Sequence, residues 1–307
     1  MRAIELMHSA GVPRQLLQCL PGPGEIIGRH LCGHADIDGI VFTGGFDTAR
    51  SIQREITNRA GAIIPFIAET AGINVLIVDS TAQLQQLTLD VIRSAFDSAG
   101  QRCSALRVLC LPHSIADDIE NLLTGAMQQL QLGDPFEWST DIGPVINTDA
   151  KIELLAYLDQ HSTDILFQCP SPNSGDFVPP TLVRIQHIQQ MEREAFGPIL
   201  HVLRYQESAS EILIEQINSL GFGLTCGIHS RNLSKAIALA EQLQVGNIYI
   251  NRDIIGATVG AQPFGGTSKS GTGPKAGGPH YLLRFTTEKT LTINTAALGG
   301  DYTLLTK

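Results

Sequence analysis

Phe96-Asp97-Ser98-Ala99-Gly100-Gln101-Arg102-Cys103-Ser104-Ala105-Leu106-Arg107 is the stretch at which this chain changes its period. Upstream, Leu84, Leu87, Val91, Ala95 and Ala99 recur at helical spacing and read as the buried stripe of an amphipathic helix. Ser80 and Gln83 form a Ser-x-x-Gln pattern at its start, the signature of a capping box. The stripe stops at Gly100. Downstream, Ala105 to Leu111 reads as a strand. Cys103 lies in the break between the two. A thiol held where a rigid helix ends can be aimed at a substrate, and the positive charge of Arg102 beside it favours the thiolate. For a cysteine taken alone, a buried structural role is the competing reading.

The same alternation runs outward in both directions. Ile4 to His8 opens a helix, Ile37 to Thr43 reads as a short buried strand, and Ile73 to Asp79 as another. Ser114 is placed to cap a helix whose apolar face is Ile115, Ile119, Leu122, Ala126 and Leu130. Strands alternating with helices predict an α/β fold with parallel sheets. Gly133-Asp134-Pro135, Pro170 to Pro180 and Gly265 to Pro279 mark long loops, the last being the richest in glycine. Loops of that length in such a fold are often functional.

The chain has 307 residues, of which 43% are hydrophobic and 17% charged, the composition of a globular protein with a sizeable core. No apolar run is long enough to span a membrane. The net charge of −9 and the lack of a basic cluster argue against a nucleic-acid partner. Six cysteines are scattered without a Cys-x-x-Cys pair, which fits free thiols in a reducing, cytoplasmic setting. His30 and His34 stand at helical spacing, but Gly33 breaks that helix and no third ligand is near in sequence, so no metal is expected. Gly22-Pro23-Gly24-Glu25-Ile26-Ile27-Gly28 imitates a dinucleotide fingerprint with its third glycine one residue late; it reads as a turn and helix start.

Three further segments give Cys103 its company. Ile67-Ala68-Glu69-Thr70-Ala71-Gly72-Ile73-Asn74 precedes it, and Glu192-Arg193-Glu194-Ala195-Phe196-Gly197-Pro198 and Pro263-Phe264-Gly265-Gly266 follow. Glu, then Cys, then Glu-x-Phe-Gly-Pro, then Pro-Phe-Gly-Gly in that order resembles the aldehyde dehydrogenase superfamily. The resemblance runs from about residue 1 to 295. Gly-Gln-Arg-Cys-Ser-Ala-Leu-Arg, Asn251-Arg252-Asp253-Ile254-Ile255-Gly256-Ala257 and the run from Ser270 to Pro279 narrow it to the glutamate-semialdehyde (Δ1-pyrroline-5-carboxylate) dehydrogenase part of bifunctional proline-utilisation flavoproteins.

The resemblance implies a set of roles. Cys103 would attack the aldehyde carbon, and Glu69 would be the general base for hydrolysis of the thioester, which calls for a raised pKa. NAD would be the cofactor. Thr43, Gly44, Gly45, Thr70, Ala71, Gly72, Glu194 and Phe196 would surround it, with Glu194 on the nicotinamide ribose and Phe196 beside it. Phe42-Thr43-Gly44-Gly45 ends a strand and enters a helix at Asp47 to Gln53, and a helix start with small residues suits a pyrophosphate. The family usually has serine at position 45 and glutamate at 47, so a hydroxyl donor is lost here. Ala71 replaces a usual glycine, and its methyl would crowd the nicotinamide. Ser104 and the backbone N–H groups of Gly256 and Ala257 would bind the carboxylate of glutamate semialdehyde, Phe96 would pack along its aliphatic chain, and Arg102 and Phe264 would complete the substrate side.

By the same resemblance, residues 1–71 would be the second half of a partial Rossmann-type nucleotide-binding domain and residues 72–284 an α/β catalytic domain. The tail 285–307 would be a strand reaching another subunit or domain, with Leu291 and Ile293 alternating against polar neighbours. The family places its first strands, a ribose-binding lysine, an oxyanion-binding asparagine and an oligomerisation hairpin upstream of the segment matched by Arg2 to Pro21. A longer polypeptide or a truncated gene is therefore expected, with an upstream proline dehydrogenase domain, and homo-oligomerisation. Loss of one oxyanion donor typically costs about 10²–10³ in rate. Two other readings remain: a dehydrogenase for another short aldehyde, and a non-catalytic remnant with a structural or binding role.

Overall fold

The computed structural model describes residues 1–294 and residue 297. The helices are α1 (Arg2–Ser9), α2 (Gly24–Gly33), α3 (Phe46–Asn58), α4 (Leu84–Phe96), α5 (Ala116–Met127), α6 (Thr148–Gln160), α7 (Ser210–Ser219) and α8 (Leu233–Ala240). The strands are β1 (Ile40–Thr43), β2 (Phe66–Glu69), β3 (Asn74–Val78), β4 (Leu106–Pro112), β5 (Ile165–Gln168), β6 (Thr181–Ile185), β7 (Ile199–Tyr205), β8 (Phe222–Gly223), β9 (Thr225–His229), β10 (Asn247–Ile250) and β11 (Thr267–Ser268). Seven strands form the main sheet in the order β10-β9-β3-β4-β7-β6-β5, parallel except at β5. The strands β1 and β2 form a separate parallel pair, and β8 with β11 an antiparallel one.

Side-chain alternation explains the layering. Leu76 and Val78 of β3, with Leu109 and Leu111 of β4, share one core with Leu87, Val91 and Ala95 of α4 and Ile119 and Leu123 of α5. Val75, Ile77, Val108 and Cys110 point to the opposite face, against Leu213, Ile214 and Ile217 of α7 and Ala236 and Leu239 of α8. Burial on both faces is why β3 and β4 are almost uninterrupted apolar runs.

The termini of the elements differ from the sequence expectation in physical detail. The cap of α4 is Gln83, whose Oε1 accepts the N–H of Gln86, and Ser80 takes no part. Asp79 closes a turn first, its carboxylate accepting the N–H and hydroxyl of Thr81 and its carbonyl the N–H of Ala82. The helix ends at Phe96. Ser98, Ala99 and Gly100 follow with φ of 57°, 53° and 65°, a single left-handed turn. Ser114 does not cap α5; its hydroxyl donates to Glu207. The buried stripe of α5 is Ala116, Ile119, Leu123 and Met127, leaving Leu122 exposed. Strand β1 starts at Ile40 and is only half buried, with Val41 and Thr43 exposed on one face. No strand forms over residues 286–294, where Leu291 and Ile293 are exposed, and the rest of the tail expectation lies outside the described residues. No helix among the described residues is long and apolar enough to cross a membrane.

Candidate active site

The ends of two sheets face a common cleft. Thr43-Gly44-Gly45 follows the carboxyl end of β1, and Glu69 to Ala71 that of β2. Opposite them stand the amino ends of the main sheet: Asn74 opens β3, Cys103 to Ala105 precede β4, and Glu194 to Pro198 precede β7. The cleft has a volume of about 1150 Å³, and its walls include Thr43, Gly44, Gly45, Glu69, Thr70, Ala71, Arg102, Cys103, Ser104, Glu194, Phe196, Ala257 and Phe264.

Cys103 is held by its backbone. The Asn74 amide donates to Cys103 O at 2.7 Å and to Ala105 O at 2.8 Å, while its oxygen accepts the N–H of Thr225 at 3.1 Å. Burial raises the pKa of the Cys103 thiol, and the Glu194 carboxylate adds to the rise. The backbone N–H groups of Ser104 and of Cys103 itself oppose it. The expected thiolate support from Arg102 is not the controlling effect: the Arg102 Nε donates to Ser98 Oγ at 3.0 Å.

Glu69 occupies a slot made by absent side chains. Its Oε2 accepts the N–H of Gly266 at 2.8 Å, whereas the buried Oε1 has no hydrogen-bond partner. A Cβ on Gly265 would stand 2.6 Å from Oε1, and one on Gly271 3.0 Å from Oε2. Burial pushes the Glu69 pKa up from 4.5 to about 7; the Gly266 N–H and the Lys275 charge hold back a larger rise. The glycine-rich loop is tied to β2. Thr272 exchanges hydrogen bonds with Ala68, its N–H donating at 2.9 Å and its hydroxyl accepting at 3.0 Å.

Glu194 is nearly buried, and its Oε1 receives Nη2 and Nε of Arg107 at 2.8 and 3.1 Å. Its Oε2 accepts the Gly72 N–H at 3.3 Å. Burial raises the pKa of Glu194, with Arg107 opposing.

Comparison with known proteins settles the family. The aldehyde dehydrogenase family model matches residues 1–291. The chain belongs to the aldehyde dehydrogenase family. It is 46% identical over 296 residues to the bifunctional protein PutA of Escherichia coli, covering 92% of this chain and 22% of that protein. It is 32% identical over 299 residues to the 1-pyrroline-5-carboxylate dehydrogenase of Geobacillus, covering 94% of this chain and 57% of that one. The chain thus spans about a fifth and just over half of these relatives. Among solved structures, a variant of Bradyrhizobium japonicum proline utilization A superposes with a TM-score of 0.92 at 48% identity, over 97% of this chain and 31% of that one. A 1-pyrroline-5-carboxylate dehydrogenase from Thermus with bound NAD gives 0.86 at 31%, over 92% and 56%.

The residues present fit a dinucleotide such as the NAD bound in the Thermus structure. Gly45 precedes α3 with no side-chain cap, and a Cβ there would meet only Thr48 Oγ1 at 3.9 Å, so the helix start is open. Gly44 is closed to a side chain, since a Cβ would stand 2.4 Å from the Phe42 ring. Phe196 is 46% exposed and forms part of the cleft wall. Ala71 also faces the cleft, with its carbonyl accepting the Ser270 hydroxyl at 2.8 Å.

Not every expected residue reaches the cleft. Phe96 is 1% exposed inside the core shared by α4 and β4 and is not among the residues that line the cleft. Gly72 acts through its bond to Glu194. Gly256 lies outside the cleft lining with φ +69°, next to Ala257, which lines it. Asn74, Arg107 and Ser270 were not foreseen. For Asn74 and Arg107 the signal was present, as polar side chains within apolar strand sequence, but its reading requires the partner segments.

Proposed function

We propose that the chain carries the nucleophile-bearing portion of an NAD⁺-dependent dehydrogenase that oxidises L-glutamate γ-semialdehyde to L-glutamate, the second step of proline breakdown. The observation that carries this reading is the convergence of Cys103, Glu69 and Glu194 on one cleft, with Glu69 at a pKa of about 7. Cys103 Sγ, once ionised, adds to the aldehyde carbon to give a thiohemiacetal, and the N–H groups that stabilise the thiolate lie beside the developing oxyanion. NAD⁺, when bound, supplies a hydride acceptor. Glu194, held by Arg107 and Gly72, would hold the nicotinamide ribose through its carboxylate, and Thr43 to Gly45, Thr70, Ala71 and Phe196 would border the same cofactor. Glu69 then takes a proton from water as that water attacks the Cys103 thioester, releasing glutamate and the free thiol.

Ser104 and the loop at Gly256 and Ala257 are assigned to the substrate carboxylate, with Arg102 and Phe264 flanking. The relatives that are named PutA support an upstream proline dehydrogenase domain as partner, and homo-oligomerisation and a cytoplasmic setting belong to the same proposal. The test is NADH formation by the chain with NAD⁺ and Δ1-pyrroline-5-carboxylate, beside propanal and a Cys103→Ala control. Turnover that prefers the carboxylated substrate and vanishes in the control supports the reading. Equal or better turnover of propanal would favour a dehydrogenase for another short aldehyde, and no turnover of either would favour a non-catalytic remnant.

A further inference from the structure

Arg107 has no exposed side-chain surface and heads the fully buried side chains of the described residues by volume. It stands in β4 between Leu106 and Val108, where an apolar side chain would pack without desolvating a charge. A buried ion pair is weak evidence for stability, so what the guanidinium touches decides its role. All three nitrogens are engaged. Nε and Nη2 hold Glu194 Oε1, Nη1 donates to Gly197 O at 3.1 Å, and Nη2 also donates to Arg102 O at 3.2 Å. The guanidinium carbon lies 5.4 Å from the centre of the Phe196 ring. One side chain therefore ties the residue preceding the nucleophile to the segment Glu194 to Gly197. Its own carbonyl accepts from His201 Nδ1 at 3.0 Å, and Tyr157 donates to His201 Nε2 at 2.8 Å, which fixes the base of the arm.

We propose that Arg107 is a positioning residue that braces the Cys103 loop against Glu194 and Phe196, so that the nucleophile and the cofactor-side carboxylate keep one spacing. The proposal rests on the reading of Glu194 as a cofactor ligand. A lysine keeps the charge but lacks the planar fork, and so cannot reach Glu194, Gly197 and Arg102 together.

The test uses the full chain with Arg107→Lys and Glu194→Gln, and two measurements that need no turnover. One is NAD⁺ binding by calorimetry. The other is alkylation of Cys103 by iodoacetamide across pH, which separates the thiol pKa from the limiting rate. In folded Arg107→Lys, NAD⁺ affinity should fall on the order of tenfold and the limiting alkylation rate should change several-fold. A merely structural role would lower thermal stability and leave both unchanged in the folded fraction, and that result would overturn the brace. If Arg107→Lys does not fold, Glu194→Gln carries the test. Freed from its carboxylate, Arg107 should loosen the Arg102 carbonyl and change the limiting alkylation rate, whereas a shift of the midpoint alone would refute the coupling. Unchanged NAD⁺ affinity in Glu194→Gln would refute the ribose reading, while the alkylation rate still reports on the brace.

Discussion

Glu69 shows how a single carboxylate is tuned by what surrounds it. Two glycines, Gly265 and Gly271, give it a slot, the Gly266 N–H stabilises one oxygen, and the other oxygen is buried without a donor. With a pKa of about 7, thioester hydrolysis should rise with pH through that value. Glu69→Gln should remove that limb and slow hydrolysis by about 10²–10⁴, as read by pre-steady-state NADH bursts. The stability effect has the opposite sense. The folded-state value lies above the ordinary 4.5, so the folded state retains a proton that the unfolded chain has lost, and stability falls as pH rises between the two. Thermal melts should therefore show Glu69→Gln gaining on the parent as pH rises from 4.5 to about 7, with the difference constant above that value. Asn74 makes a second residue-scale case. Asn74→Asp places a carboxylate against the carbonyls of Cys103 and Ala105, replacing two donated bonds by repulsion. We expect a loss of about 2–4 kcal/mol in urea unfolding.

At the scale of elements, the left-handed turn after α4 sets where Cys103 lies. Gly100 passes so close to β7 that a Cβ would stand 2.2 Å from Gly197 O, and its φ of +65° is one that side chains disfavour. Gly100→Ala should cost about 2–4 kcal/mol and lower NADH formation, measured on the same preparation by urea unfolding and absorbance. The glycine was visible in the sequence as the end of the stripe, but Ser98 and Ala99 in the same left-handed turn were not, since neither residue prefers it. Helical and strand periods located α4, β3 and β4 because their apolar spacing is dictated by burial. The caps at Ser80 and Ser114 were misplaced because Asp79 and Glu207 compete for the local hydrogen bonds. Motif order singled out Cys103, Glu69 and Glu194, which line one cleft, and did not single out Arg107, because its partners lie in Glu194 and Gly197, far along the chain. The packing of α6 on β7 offers another check. The pKa of His201 is pushed by burial down to about 4, so its Nδ1 proton faces Arg107 O and Tyr157 must donate to Nε2. Tyr157→Phe should cost about 1–3 kcal/mol by leaving that nitrogen unpaired.

For the molecule as a whole, the main sheet and the β1-β2 pair are unequally covered. The main sheet is packed on both faces, while β1 pairs only with β2 among the described residues. Val41 of β1 is exposed, as are Leu16, Leu20, Ile26 and Ile63 in the sequence flanking the two strands. An unpaired strand edge beside apolar surface favours association. The isolated chain should elute in size-exclusion chromatography as oligomer or aggregate, and a compact, stable monomer would count against this.

The measurement closest to the centre of the functional reading is mass mapping of a trapped intermediate. Glu69→Gln, given NAD⁺ and Δ1-pyrroline-5-carboxylate and then quenched in acid, should hold a γ-glutamyl acyl group on the peptide containing Cys103, with one NADH formed per adduct. An unmodified Cys103 after NADH has formed, or an acyl group on another of the six cysteines, would contradict it.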